Sequence, residues 1–323
     1  MKKVFISGRI PSNAKELLSK HFEVISHEGE NLLSSEQIAE GVKDADALLC
    51  LLSDPIKAEV IAGAKKLKII ANYGAGFNNI DLATATELKI PVTNTPKVST
   101  NATADMTWAL ILGIARRVVE GDKLTRAGGF TGWAPLFFLG TEVTGKTLGI
   151  FGMGNIGQAV ARRAKGFEMK VIYNSRTRLS DEEESALGIT YVSFEELLKA
   201  SDFLTLHSSY SPELHHLLGK KELNQMKSSA FLINAARGPM IDENALAEVL
   251  KNKVIAGAGL DVYEFEPQVA DGLLALDNVI LAPHLGNATV ETRAQMAEIA
   301  ARNILEVLSG NKPISCVNSV VYE

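Results

Sequence analysis

Short apolar runs recur along the chain, at residues 4–6, 47–49, 69–70, 147–151, 171–173, 203–206, 231–233 and 279–281. Most are apolar at every position and do not alternate. A strand of that kind buries both faces, as strands of a parallel sheet do. Between the runs lie stretches with helical spacing, such as 155–165 and 244–250. Strand–helix alternation of this sort predicts doubly wound α/β architecture. Two longer helices are also predicted. One spans 99–124, with Met106, Leu110, Ile114 and Val118 four residues apart. The other spans 290–308, with Met296, Ile299, Ile304 and Val307 on one face and Gly310 as its stop.

Composition narrows the class. A chain of 323 residues has a prior of two domains. With 46% hydrophobic and 22% charged residues it has ample apolar material for two cores, which rules out extensive disorder. Its 33 basic and 38 acidic residues leave a net charge of −5, which speaks against a nucleic-acid partner. Cys50 and Cys316 form no disulfide framework, and a reducing compartment suits them. The N-terminal apolar run breaks at Ser7-Gly8, too early for a signal peptide. No apolar run approaches the roughly 18 residues of a membrane span. The expectation is a soluble, cytoplasmic protein.

The strongest chemical signal is Gly152-Met153-Gly154-Asn155-Ile156-Gly157, a G-x-G-x-x-G turn with a strand before it and a helix after it. In such a turn the first glycine permits the tight bend. The second lets pyrophosphate approach the backbone, and the third lets helix and strand pack closely. The helix N-terminus offers free N–H groups to phosphate. Without that context the same glycines read as an ordinary turn. The following strand, 170–174, runs into Ser175-Arg176-Thr177-Arg178 and carries no acid to bind a ribose 2′-hydroxyl. Two guanidiniums and two hydroxyls suit a 2′-phosphate, so NADPH is expected over NADH. The alternative is a solvated turn whose arginines bind nothing. About 150 residues precede Gly152 with their own strand–helix alternation, so a separate α/β domain comes first. Helix 290–308 lies beyond the last strand of the nucleotide domain and is expected to pack back on that first domain.

Three polar residues follow strands of the nucleotide region or sit in its loops. Arg237 lies in Asn234-Ala235-Ala236-Arg237-Gly238, Glu266 in Leu260-Asp261-Val262-Tyr263-Glu264-Phe265-Glu266-Pro267, and His284 in Ala282-Pro283-His284-Leu285-Gly286. Ligands of open α/β sheets bind beyond the carboxyl ends of strands, where Arg237 and His284 fall. Taken singly, each has a plain alternative: a surface ion pair, a loop charge, a packing histidine.

Taken in order, these motifs resemble the D-isomer-specific 2-hydroxyacid dehydrogenases. The resemblance extends upstream to residues 72–81, Asn94-Thr95-Pro96 and Ala102-Thr103-Ala104-Asp105, and covers essentially the whole chain. The Trp133–Pro135 loop, residues 145–149 and the acid-free second strand look most like the glyoxylate/hydroxypyruvate reductase branch. The resemblance implies two doubly wound parallel-sheet domains, a Rossmann nucleotide-binding domain inserted in a flavodoxin-like substrate domain. The expected bounds are 1–99 completed by 289–323, and 100–288. It implies reduction of a small 2-oxo acid, glyoxylate or hydroxypyruvate, to the (R)-2-hydroxy acid. Arg237 would clamp the substrate, His284 would serve as general acid/base, and Glu266 would pair with it and favour its protonated form. Substrate would also meet Ser53, in the loop after a first-domain strand, and the backbone N–H groups of Gly74, Ala75 and Gly76. The cofactor would be held by Gly152, Gly154, Asn155, Ile156, Gly157, Ser175, Arg176, Thr177, Arg178, Ser208, Ala235, Asp261 and Gly286, with Thr103 a further contact. A homodimer is implied, with the Trp133 and Phe137 loop reaching the partner; simple packing of that loop is the alternative.

No metal site is read in the sequence. His215 and His216 look like a helix start, where adjacent rings diverge, and no carboxylate accompanies them at ligand spacing. His207 follows a strand near the expected cofactor edge. Among other activities, D-lactate dehydrogenase is the nearest, while 3-phosphoglycerate dehydrogenases usually carry a regulatory domain that residues 310–323 are too few to form. Formate dehydrogenases of the family carry glutamine where Glu266 stands. A cofactor-sensing binding module, like corepressors of the same fold, is the reading from a different class. The absence of a long tail or low-complexity extension weighs against it.

Overall fold

The computed structural model describes all 323 residues. They fold into two compact units, Met1–Ser99 with Ala288–Glu323, and Thr100–Asn287. No helix is long and apolar enough to cross a membrane.

The first unit holds five parallel strands, β1 (Lys3–Ile6), β2 (Glu23–Ser26), β3 (Ala47–Leu51), β4 (Ile69–Tyr73) and β5 (Val92–Thr93). Their order, β2-β1-β3-β4-β5, is the flavodoxin-like one. Central β3 is covered on both faces, which is why residues 47–49 are apolar without alternation. Edge strand β2 alternates exposed and half-buried residues and so lacks the uniform apolar run that marks the others. Helix Val290–Leu308 packs on helix Ser12–Leu18 and on β4. Its Ala297, Ala300 and Ala301 let it approach closely, and Ile304 belongs to the same buried apolar cluster as Ile6, Leu49 and Ile69. The segment after it stays in this unit: Asn318 Oδ1 accepts from Val92 N at 2.8 Å, and Val317 N donates to Val92 O at 2.8 Å.

The second unit holds seven parallel strands: β6 (Thr147–Phe151), β7 (Lys170–Asn174), β8 (Ile189–Tyr191), β9 (Phe203–Leu206), β10 (Phe231–Asn234), β11 (Gly257–Leu260) and β12 (Val279–Leu281). The order β12-β11-β10-β9-β6-β7-β8 is the Rossmann order with one strand added. It reverses between β6 and β9, where such sheets bind ligands. Strand β11 has the sequence Gly-Ala-Gly-Leu and no β-propensity to announce it. Smallness is what the position demands, because helix Thr100–Ala115 lies across it. A Cβ at Gly259 would stand 3.0 Å from Leu110 Cβ.

The long helix predicted over 99–124 is in fact two, Thr100–Ala115 and Val118–Arg126. Arg117 between them takes a left-handed conformation, φ 55°. The returning chain explains the break: Thr141 N donates to Ala115 O at 2.7 Å, taking a carbonyl that a longer helix would use. Arg117 is then held by Glu120 and lies over the Phe138 ring, 3.8 Å from its centroid.

The packing of the last long helix generates a stability prediction. Ile304 is fully buried, so Ile304→Ala should destabilise the first unit by about 2–4 kcal/mol. Urea unfolding would show this as a lower midpoint; an unchanged midpoint would contradict the assigned packing.

Candidate active site

The glycine turn is built as a dinucleotide cradle. Gly152 has φ +96°, and a Cβ there would lie 2.5 Å from Ser208 N. A Cβ on Gly157 would lie 2.2 Å from Gly152 O, so only glycine lets helix Asn155–Ala164 approach β6 this closely. Gly154 is the N-cap of that helix, and its missing Cβ would point into open space. Two glycines therefore serve packing, while the third leaves room in front of free helix N–H groups, as a pyrophosphate requires. Beside the turn, both ring nitrogens of His207 are buried without a partner, and burial pulls its imidazole down to about 3. The open cradle and the unpartnered imidazole fit a nicotinamide dinucleotide.

The loops after β10, β11 and β12 bring Arg237, Glu266 and His284 together. His284 follows β12 in a left-handed conformation, φ 53°. Its turn is fixed by Asp261 at the end of β11, whose carboxylate accepts from Leu285 N at 2.6 Å and Gly286 N at 2.7 Å. Tyr263 OH donates to Ala282 O at 2.8 Å and braces the same turn. His284 Nδ1 then lies 2.8 Å from Glu266 Oε2. Glu266 Oε1 also accepts from Tyr263 N at 3.1 Å. Burial pushes the Glu266 carboxyl up, but His284, the Tyr263 N–H and Arg237 together outweigh it, and the group sits below its ordinary value. Arg237 follows β10 in a turn stitched by Asn234, which donates to Arg237 O at 3.0 Å and accepts from Ala236 N at 3.0 Å. A Cβ on Gly238 would fall 1.8 Å from the Tyr263 carbonyl carbon, so glycine is what lets the arginine turn lie against the Glu266 loop. Burial lowers the affinity of the Arg237 guanidinium for its proton, and the Glu266 charge opposes this. Its only hydrogen bond is to Ala236 O, at 2.6 Å, so most of its donors are available to a ligand.

A part-buried arginine, a half-exposed imidazole backed by a carboxylate, and a dinucleotide cradle stand on one unit. Comparison with known proteins gives this constellation its family. Residues 108–286 match the family model for the D-isomer specific 2-hydroxyacid dehydrogenase, NAD binding domain. The chain belongs to the D-isomer specific 2-hydroxyacid dehydrogenases. It is 53% identical over 318 residues to a Staphylococcus aureus protein (strain MRSA252) classed among the 2-hydroxyacid dehydrogenases, covering 98% of this chain and 100% of that one. Among solved structures it is similar to a Thermus thermophilus protein, with TM-score 0.93, 43% identity, and 98% and 99% of the two chains covered. It is also similar to an NADPH-dependent glyoxylate/hydroxypyruvate reductase from Sinorhizobium meliloti bound to citrate, with TM-score 0.87, 31% identity and 98% of each chain covered. That reductase has also been solved with NADP and malonate.

The other residues expected at the site fall into distinct places. Thr103 lies beside Gly286 and Asp261: a Cβ on Gly286 would stand 3.4 Å from Thr103 Oγ1 and 3.2 Å from Asp261 Oδ2. Ala235 is buried at the end of β10, and Ser208 follows His207. Asn155 and Ile156 open the helix after the glycine turn. In the first unit, Ser53 is exposed in a loop held by buried Asp54, which accepts from Leu51 N at 2.7 Å and from the Ser7 hydroxyl. The carbonyls of Ala75 and Gly76 are pinned by Asn94 and Asn72, at 2.7 and 2.6 Å, while their N–H groups donate to nothing in the protein.

Several expectations need correction. Gly74 does not offer its N–H to a ligand, because it donates to Asn72 O at 2.9 Å. Arg178 already has partners within the chain. Its Nε and Nη2 donate to the two oxygens of Glu184, both at 2.8 Å, so it braces the turn that follows β7. Ser175, Arg176 and Thr177 make no side-chain hydrogen bond. For Trp133 it is the alternative of packing within the chain that fails, since the side chain is 84% exposed. His215 and His216 are not on a helix, and their rings stack. Tyr263, Asp54 and Glu243 escaped the sequence reading. Glu243 Oε1 accepts from Glu264 N at 2.6 Å and anchors the Glu266 loop; its only signal was a place in a helix's first turn.

Three outcomes follow from this geometry. Gly154→Ala should leave the melting temperature unchanged while weakening cofactor binding, whereas Gly157→Ala should lower both; equal effects would refute the division of roles. Glu266→Gln should lower kcat, because the carboxylate that holds the His284 ring at 2.8 Å is replaced by an amide; an unchanged kcat would contradict the pairing. Arg178, then Tyr173, pulls Glu184 down to about 2 from 4.5. Its stabilising contribution is therefore present above pH 4.5 and lost as pH falls toward 2. Acid unfolding of Glu184→Gln should be less steep in that window.

Proposed function

We propose that the chain is a reductase of small 2-oxo acids that uses NADPH in preference to NADH and forms the (R)-2-hydroxy acid. The observation that carries this is the 2.8 Å His284–Glu266 pair beside an arginine with free donors. Arg237 binds the carboxylate and carbonyl of the acid through its fork and orients it. The nicotinamide supplies hydride to the carbonyl carbon when bound. His284 holds a proton on its exposed nitrogen and gives it to the carbonyl oxygen; in the reverse direction it takes that proton back. Glu266 holds the ring through Nδ1 and balances the imidazolium charge. The free N–H groups of Ala75 and Gly76, with Ser53, are assigned to the substrate carboxylate. The cofactor falls to the glycine turn with Asn155 and Ile156, and to Ser208, Ala235, Thr103 and Gly286. Asp261, whose carboxylate also holds the His284 turn, is assigned to the cofactor as well.

The NADPH preference rests on Ser175, Arg176 and Thr177, which carry no acid and no competing partner. The size of the acid rests on likeness to the S. meliloti glyoxylate/hydroxypyruvate reductase. The exposed Phe130, Trp133, Leu136 and Leu139 form an apolar surface suited to a second copy of the chain.

Absorbance of NADPH at fixed glyoxylate or hydroxypyruvate tests the reaction. His284→Gln should lower kcat by roughly 100-fold or more, the loss of a general acid. Arg176→Ala should cost NADPH about 10- to 100-fold in kcat/KM, the value of a charge-assisted contact, and leave NADH unchanged. Equal losses with both cofactors would remove Arg176 from the 2′-phosphate, and full activity in His284→Gln would remove the histidine from the chemistry.

A further inference from the structure

The two grounds on which the sequence excludes a metal at His215 and His216 both disappear in the fold. The turn Pro212–Leu214 ends before them, and their rings stack with centroids 4.0 Å apart at 17°. Glu264, distant in sequence, reaches both: its Oε1 lies 2.8 Å from His216 Nε2 and 4.0 Å from His215 Nε2. The three donor atoms lie within 4.8 Å of one another. The Glu264 side chain is mostly buried and has no lysine or arginine partner.

We propose that His215, His216 and Glu264 form a binding site for a divalent transition ion of the zinc class. Two imidazole nitrogens and one carboxylate oxygen are a borderline donor set that zinc takes readily, with a fourth position for water. Tetrahedral bonds of about 2.0–2.2 Å put donors about 3.3 Å apart, between the two separations seen here. Hard cations such as magnesium and calcium prefer all-oxygen sites and would not compete. Tyr210 OH stands 3.4 Å from His215 Nδ1 and can accept a hydrogen bond from its N–H, which leaves the Nε2 lone pair for the ion. The half-exposed His215 ring swings out of the stack to complete the geometry. The backbone on either side is anchored: His216 N donates to Pro239 O at 2.8 Å, and Glu264 N donates to Glu243. An ion here ties the loop after β9 to the loop that carries Glu266, and stabilises the fold by binding it alone.

The test is calorimetric titration of the full, metal-free chain with zinc chloride, alongside thermal melting with and without zinc. The expected result is one ion per chain and a melting temperature raised by zinc. His216→Asn, His215→Asn and Glu264→Gln should each weaken binding at least about 10-fold. Melting without zinc shows that each variant is folded. His284→Gln and Cys316→Ser should bind zinc as the wild type does. Magnesium in excess should not displace the ion. Absence of wild-type binding, unchanged affinity in the folded His216→Asn and Glu264→Gln variants, or loss of the ion in His284→Gln would overturn the proposal.

Discussion

A single buried carboxylate organises the chemistry. Asp261 ends β11 and accepts the N–H groups of Leu285 and Gly286 from the neighbouring turn. Hydrogen bonds to a charged group contribute about 1.5–3 kcal/mol each, enough to hold one turn in an otherwise unfavoured backbone conformation. That conformation is the left-handed one at His284, and it is what turns the imidazole toward Glu266. Burial pushes the Asp261 carboxyl up, and the two N–H donors pull it back toward the ionised form they need. The pairing of acid and histidine is thus a consequence of how β11 and β12 are joined at their ends.

Close packing supplies the second constraint. Gly238 lets the Arg237 turn sit against the Tyr263–Glu264 backbone, and Gly157 lets the cofactor helix sit against β6. Each is a place where a methyl group would separate two loops that must meet. Rigidity at these points suits a site in which hydride and proton must arrive at adjacent atoms, since small displacements are costly there.

Much of this was legible in the sequence. Uniform apolar runs marked the central strands because parallel strands bury both faces, and the G-x-G-x-x-G turn marked the nucleotide unit. Edge strand β2 and the glycine-built β11 were not legible, because one is half exposed and the other is selected for smallness. The Arg237, Glu266 and His284 constellation was legible through ordered motifs. Contacts that close at long range were not. Nothing in the turn after β7 showed that Arg178 would be taken by Glu184, and nothing near His216 showed that Glu264 would arrive from 48 residues away. Residues that position others, such as Glu243 and Asp54, carry no motif of their own and emerge only with the backbone they hold.

The most direct measurement is turnover of hydroxypyruvate with NADPH, with chiral analysis of the glycerate formed. The account predicts one NADPH consumed per glycerate and the (R) isomer alone, because Arg237 and His284 fix which face of the carbonyl receives hydride. Formation of the (S) isomer or of a racemate, or no consumption of NADPH with hydroxypyruvate, glyoxylate or pyruvate, would contradict it.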